Sequence, residues 1–334
     1  MKPVGTGPYL VKQWQMNRFV GLVKNPDWWN TEAGGPYIDT IHMPVIPETS
    51  AAWLEFQKGE IDYTWVPTAE TRSSAEKPEV KSGEWTTQEW PQLTIGATGV
   101  NWTDKVVGGP QNLELRQALA YAYDRETAIN VVGQGVQEPA TGVIPLGLPG
   151  AEGKELPYPQ DPEKAKALVQ GLGEVPTLAN WDVVDSNTQK IDEVIQAGWV
   201  DAGLDVDLEF FEWGTFLDKL SDPDGGSQLF GSGWMADYPS VDNFVYTFFH
   251  SSASPMLSTF YSNPEVDELL DRARRTVNDE ERLDLYLQAE HIALSDVAVI
   301  PYSSYRAYRI TNNRIASFVY TPMGAVDMWT LWVK

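Results

Sequence analysis

The sequence predicts an α/β fold on three observations. Between residues 177 and 234 strand-like runs alternate with helix-like ones, an order that implies right-handed crossovers and a parallel core. Two well-capped helical segments follow that alternation. The 334 residues are 42% hydrophobic and 21% charged, a globular composition with enough chain for two domains at roughly 150 residues each.

The elements read in order as follows. Tyr9–Trp14 and Phe19–Lys24 are short apolar runs joined by polar residues, a β-hairpin pattern. Asn25-Pro26-Asp27-Trp28-Trp29 turns the chain, because proline biases the residue before it away from helix. Ile38–Pro47 reads as a strand, Ser50–Lys58 as a short helix capped by Thr49 and stopped by Gly59, and Ile61–Val66 as a strand. Residues 67–92 carry no readable period. Leu113–Tyr123 is helical, with Leu115, Ala118, Leu119 and Ala122 on one stripe. Asp124 caps a second helix, Arg125–Val132, ended by Gly133. Residues 133–160 hold many Gly and Pro and read as an extended surface loop. Asp161-Pro162-Glu163 then opens a helix as N-cap, N1 and N2.

In the alternating unit Thr177–Val184 is a strand and Thr188–Ala202 a helix stopped by Gly203. Val206, Leu208 and Phe210 alternate with Asp207 and Glu209 as a second strand. Thr215–Leu220 is a short helix and Leu229–Trp234 a strand of small residues. Helices Pro264–Val277, behind Asn263, and Glu280–Leu294, behind Asp279, come next. A strand at Val297–Tyr308 and a Trp-rich tail, Asp327–Lys334, complete the chain.

Composition excludes several functions. With 24 Lys+Arg against 47 Asp+Glu the net charge is −23, so phosphate backbones are repelled and no nucleic-acid partner is expected. The densest basic group, Arg272, Arg274 and Arg275, sits among Asp267, Glu268, Asp271 and Asp279. Cysteine is absent, which removes disulfides, thiolate metal sites and Cys nucleophiles. His42, His250 and His291 have no metal-ligand spacing, and no nucleophile elbow, phosphate loop or dinucleotide fingerprint occurs, so neither metal nor cofactor is expected. No run approaches ~18 apolar residues. The segment from Met1 to Pro8 lacks an apolar signal core, so the chain as written is expected to be soluble and without an export signal. A glycosidase needs two carboxylates at a suitable separation. Forty-seven acids leave that alternative open and nominate no pair.

The segment Gly231-Ser232-Gly233-Trp234-Met235-Ala236-Asp237-Tyr238-Pro239 follows the third strand of the alternating unit. In open α/β sheets ligands bind beyond the carboxyl ends of the strands. Gly231 and Gly233 permit close backbone approach, Trp234 offers a flat apolar face and Asp237 a fixed anion, a set suited to a cationic, partly apolar small molecule. The residues alone favour a plainer reading, a buried structural Trp and an Asp capping the turn before Pro239. Tyr246, Tyr302 and Tyr305 read as core residues, with a pocket role as the alternative.

Seven motifs occur in one order: Gly5-Thr6-Gly7-Pro8-Tyr9 with Asn25-Pro26-Asp27-Trp28-Trp29; Gln57-Lys58-Gly59-Glu60-Ile61-Asp62; Leu115-Arg116-Gln117-Ala118-Leu119-Ala120-Tyr121-Ala122-Tyr123-Asp124-Arg125; Ala140-Thr141-Gly142-Val143-Ile144-Pro145; Asp161-Pro162-Glu163-Lys164-Ala165; Trp234-x-Ala236-Asp237-Tyr238; and Asn263-Pro264-Glu265-Val266-Asp267. This order resembles the extracellular solute-binding proteins of family 5, the dipeptide- and oligopeptide-binding type serving ABC importers, over essentially the whole chain. The resemblance implies a periplasmic-binding-protein-like two-lobed fold of the class II type. It places the inserted α/β lobe at 101–303, with 1–100 and 304–334 forming a partial, discontinuous lobe. Full members begin with an export signal and further lobe sequence, so the resemblance implies an N-terminally truncated chain.

The function so implied is non-catalytic: binding di- or oligopeptides in the cleft between the lobes and delivering them to a membrane permease. By the same resemblance Asp237 pairs with the ligand's free α-amine and Trp234 lines the pocket, with Tyr238 and Gly233 completing the ligand-binding set. The expected partners are a small peptide and an ABC permease, the full-length protein being a monomer at an extracytoplasmic location. An oligosaccharide ligand is the alternative within the family, and an acid-pair glycoside hydrolase the alternative outside it.

Overall fold

The structure, a computed structural model, describes residues 3–30, 32, 34–133, 137–222, 226–318, 320–324 and 326–334. Met1 and Lys2, part of the segment read for an export signal, lie outside the described residues. The chain forms two compact units, Met1–Trp90 with Ala307–Lys334, and Pro91–Arg306. It passes from one to the other within two long strands, described below.

In the first unit β1 (Tyr9–Gln15), β2 (Phe19–Lys24) and β3 (Thr40–Pro44) make an antiparallel sheet in the order β1-β2-β3. Helix α1 (Thr49–Gln57) starts one residue earlier than expected: Glu48 stands at the cap position without a side-chain cap bond, and Thr49 is already helical. Its buried face carries Trp53 and Phe56, whose rings stack at 5.7 Å and meet Trp85. Strand β4 (Tyr63–Trp65) pairs antiparallel with residues 309–311. The stretch without a readable period holds two single-turn helices, α2 (Thr71–Ser74) and α3 (Pro78–Lys81), and the start of the long strand β5 (Trp85–Val100). Such short turns carry too few residues to show a period.

The second unit takes up β5 from Pro91 onward. Helix α4 (Leu113–Tyr121) buries the expected stripe and also Arg116, fully enclosed. Its guanidinium donates to the carbonyls of Val107 and Gly109 (both 2.6 Å) and Asp296 (2.8 Å), and lies over the Trp102 ring at 4.4 Å. Burial lowers the Arg116 pKa to about 10; the carbonyls engage its Nε and Nη1, while Nη2 is buried without a hydrogen bond. Asp124 caps α5 (Arg125–Ala128) by accepting from the Thr127 N–H, but Ile129–Gly133 then opens into a π turn.

Strand β6 (Gln137–Pro139) leads into the Gly/Pro-rich loop, of which residues 134–136 lie outside the described residues. Buried Glu290 holds this loop by accepting from the Val143 N–H (2.7 Å) and pairing with Lys154. Helix α6 (Pro162–Gly171) begins behind Asp161, which accepts from the Lys164 N–H as expected.

The alternating region comprises β7 (Leu178–Val183), α7 (Ser186–Asp201), β8 (Val206–Phe211), α8 (Trp213–Leu220) and β9 (Leu229–Met235). Strand β7 pairs parallel with both β8 and β9, as the alternation implies. The other edge of β9 pairs antiparallel with β5, so the sheet is mixed. Leu119, Tyr123, Ile195, Trp199 and Leu229 are core residues here, with the Trp199 indole donating to the Leu119 carbonyl at 3.0 Å. Each such large side chain stabilises the fold by ~1.5–3 kcal/mol of apolar burial.

Helices α9 (Asp242–Phe249), α10 (Pro264–Arg275) and α11 (Asp279–Ser295) follow. Asn263 caps α10, but α11 is capped by Asn278, whose side chain accepts from the Glu281 N–H, and not by the expected Asp279. Either residue type can cap; the chain enters the helix one residue earlier. Strand β10 (Val299–Asn312) pairs with β6 through Ser303–Tyr305 and then runs into the first unit. There β11 (Ile315–Ala316) pairs with β12 (Trp332–Val333). Among the described residues no helix is long and apolar enough to cross a membrane.

Candidate ligand-binding site

The segment singled out in the sequence forms the last strand of the alternating region and its exit. Gly233 of β9 faces Gly96 across the antiparallel pair, and a Cβ at Gly233 would lie 2.6 Å from the Ile95 carbonyl oxygen. Only glycine fits that approach. The strand ends at Met235, and the Ala236 N–H still donates to the Leu93 carbonyl at 2.8 Å. Asp237 thus begins the turn beyond the carboxyl end of β9.

Asn243, buried on the first turn of α9, organises this exit. Its Oδ1 accepts from the Asp237 backbone N–H at 2.7 Å and from the Trp234 indole N–H at 3.2 Å. The Asp237 side chain is exposed, and its carboxylate makes no ion pair or hydrogen bond among the described residues. Tyr238 behaves differently: its hydroxyl donates to Asp242 Oδ2 at 2.5 Å. Asp242 also accepts from Arg274 (2.7 and 3.0 Å) and Tyr286 (2.7 Å). Burial raises the Asp242 carboxyl, but the bonds from Arg274, Tyr238 and Tyr286 outweigh it and hold the pKa below its ordinary value. Tyr238 is therefore committed to a structural network.

Beside the segment lies a pocket of ≈ 450 Å³ within the Pro91–Arg306 unit. Gly233 and Trp234 line it, whereas Asp237 and Tyr238 do not. Its wall also includes Asp182 at the end of β7, Trp213 at the start of α8, and Tyr302 and Tyr305 of β10. A Cβ at Gly231 would collide with the Asp182 carboxylate, so this glycine opens the room that Asp182 occupies. Burial, and then the charge of Asp185, push the Asp182 pKa up; the Val183 N–H bond opposes them. The Tyr302 and Tyr305 hydroxyls lie 3.4 Å apart, and burial raises both phenols. Tyr246 lies elsewhere, stacked on His250 at 4.2 Å beneath the Arg274 guanidinium.

Residues 1–256 match the family described as bacterial extracellular solute-binding proteins, family 5, middle. The chain belongs to this family. It is one of solute-binding proteins rather than enzymes. Among its members, the dipeptide-binding protein of Escherichia coli K12 is 27% identical over 97% of this chain and 60% of its own length. A probable di/tripeptide-binding protein of Pseudomonas aeruginosa is 25% identical over 99% of this chain and 62% of its own length. The periplasmic binding protein DppA of Helicobacter pylori, solved with the peptide STSA, superposes with a TM-score of 0.85 at 25% identity, covering 99% of this chain and 64% of that one. This chain spans about 60% of the length of the curated relatives it matches. The α/β, periplasmic-binding-protein-like fold read from the family-5 motifs is thereby the fold of this chain.

Sequence reasoning passed over two residues of this pocket, Asp182 and Trp213. Both stand at carboxyl ends of parallel strands, Asp182 in the last residues of β7 and Trp213 just after β8. The edge rule that nominated Asp237 after β9 applies equally to those strands.

Proposed function

We propose that this chain is ligand-binding sequence of the solute receptor of an ABC importer, that it holds a peptide by its free α-amine, and that Asp237 is the amine's partner. The reading is carried by one observation: an exposed, unpaired carboxylate on a backbone anchored by buried Asn243, beside Trp234 and past the end of a parallel strand. A carboxylate fixed in this way loses little freedom when an ammonium group binds, which favours affinity. The peptide-binding names of the relatives support the ligand class. Working outside the membrane and handing peptide to a permease follow from the family and belong to the same proposal, as does an inserted lobe at 101–303, a span that falls inside the compact unit Pro91–Arg306. Gly233 and Trp234 contribute pocket wall, and Tyr238 orients the turn through Asp242.

Titration calorimetry with a peptide and its N-acetylated form tests this. Removing the amine, or replacing Asp237→Asn, is expected to weaken binding by roughly 30-fold or more, because the bound peptide takes the pair out of water and truncating one partner of a pair so buried costs ~2–5 kcal/mol. Equal affinity for the free and acetylated peptides would sink the amine assignment.

A further inference from the structure

The pocket beside Trp234 has an apolar mouth and an anionic side. Trp213, Leu217 and Met256 line it and are exposed at 63%, 46% and 61%, a cluster of large apolar groups facing solvent. Soluble proteins keep such clusters mostly where something is bound. Asp182 lies deeper. Its Oδ1 accepts from the Val183 N–H at 2.6 Å, and no Lys or Arg pairs with it among the described residues. Lys219, the basic residue of α8, is engaged over the Trp181 and Phe211 rings at 4.3 and 4.7 Å.

These features discriminate among ligand groups. An apolar side chain would cover the Asp182 carboxylate and leave it unpaired, and an acidic one would be repelled. A long basic side chain meets both requirements, because its methylene stem packs on aromatic walls while its head group supplies a positive charge and several donors. Aromatic rings around the stem add cation–π attraction for the head.

We propose that this pocket is a subsite for the side chain of a lysine or arginine residue of the bound peptide, with Asp182 as its ion partner. This rests on the peptide reading above and adds a selectivity to it. Gly231 is part of the same device, because any larger residue there would occupy the carboxylate's position.

The test is calorimetry on the 334-residue chain with tripeptides that keep the free amine and differ in one side chain: lysine, arginine, norleucine or glutamate, placed at each position in turn. At one position the lysine and arginine peptides are expected to bind roughly tenfold or more tighter than the norleucine peptide, and glutamate weakest. Asp182→Asn is expected to bring lysine and norleucine to within about twofold, the lysine peptide losing affinity and the norleucine peptide gaining it. Peptides that bind with equal lysine and norleucine affinities at every position would overturn the subsite and leave the peptide reading standing. A lysine preference that survives Asp182→Asn would overturn the role of Asp182. If no peptide of the panel bound, the peptide reading and the subsite would fall together. The comparison on the unsubstituted chain needs no variant, so it stands even if Asp182→Asn folds poorly.

Discussion

Asn243 Oδ1 lies 2.7 Å from the Asp237 backbone nitrogen and accepts its proton while holding the Trp234 indole at 3.2 Å. One buried amide oxygen thus sets the position of both the candidate anion and the candidate aromatic wall. Replacing Asn243→Leu removes the acceptor for two donors. The expected cost is ~1–3 kcal/mol in urea unfolding. Peptide affinity is expected to fall alongside it although the Asp237 carboxylate is intact. Unchanged stability together with unchanged affinity would show that Asn243 does not organise the turn.

Gly231 and Asp182 claim the same space. Gly231→Ala drives a methyl group into the carboxylate and is expected to destabilise the chain by ~1–3 kcal/mol, the usual range for overpacking. Combining it with Asp182→Ala vacates the space, so the double variant should be more stable than the sum of the single effects. A double-mutant cycle in thermal unfolding measures that coupling, and additive losses would refute the steric account.

Stability is expected to decline from acidic to mildly alkaline pH because of a buried carboxylate pair. Burial first, and then the charge of Asp182, push the Asp192 pKa up to about 8, against the opposing hydrogen bond from Asn180. Asp182 is shifted in the same direction, to about 6. A folded-state pKa above the unfolded value of 3.8 means that the folded chain holds the proton more tightly. The stabilisation is complete below pH 3.8 and is lost as pH rises through the folded value near 8. Asp192→Asn keeps an acceptor for Asn180 and carries no titrating proton. Its melting temperature should exceed that of the unsubstituted chain at pH 8.5 and nearly equal it at pH 5. A difference that does not change with pH would contradict this linkage.

The loop after β6 depends on the Lys154–Glu290 pair. Glu290 is 2% exposed and also accepts from the Val143 N–H. Lys154→Met leaves that carboxylate buried without its cation, at an expected cost of ~3 kcal/mol. Adding Glu290→Gln should recover part of the loss, since a neutral amide oxygen still accepts from Val143. Thermal unfolding gives the magnitude, and limited proteolysis between residues 140 and 154 reports the loop itself. A loop equally resistant in the unsubstituted chain and in Lys154→Met would remove the pair from this role.

Much of the fold was legible in the sequence because its signals are local. Asp124, Asp161 and Asn263 cap the helices they were expected to cap, since a side-chain oxygen reaches N–H groups only two or three residues ahead. The alternation after residue 177 carries the parallel pairing of β7 with β8 and β9, while Gly231 and Gly233 leave room for the Asp182 carboxylate and the Ile95 carbonyl respectively. Where two capping residues adjoin, as Asn278 and Asp279 do, the pattern does not choose between them, and the path of the chain entering α11 does.

The sequence by itself determined the α/β class, the family motifs and the turn that carries Asp237. Tertiary structure alone decided that β9 also pairs antiparallel with β5, that Asp182 meets Gly231, and that Trp213, Tyr302 and Tyr305 share a wall with Trp234. It also separated the four nominated residues, bringing Gly233 and Trp234 to the pocket, leaving Asp237 exposed beyond it, and binding Tyr238 to Asp242. The reason is physical. Caps and hydrophobic periods are satisfied within a few residues of chain, whereas a pocket wall depends on which distant strands become neighbours.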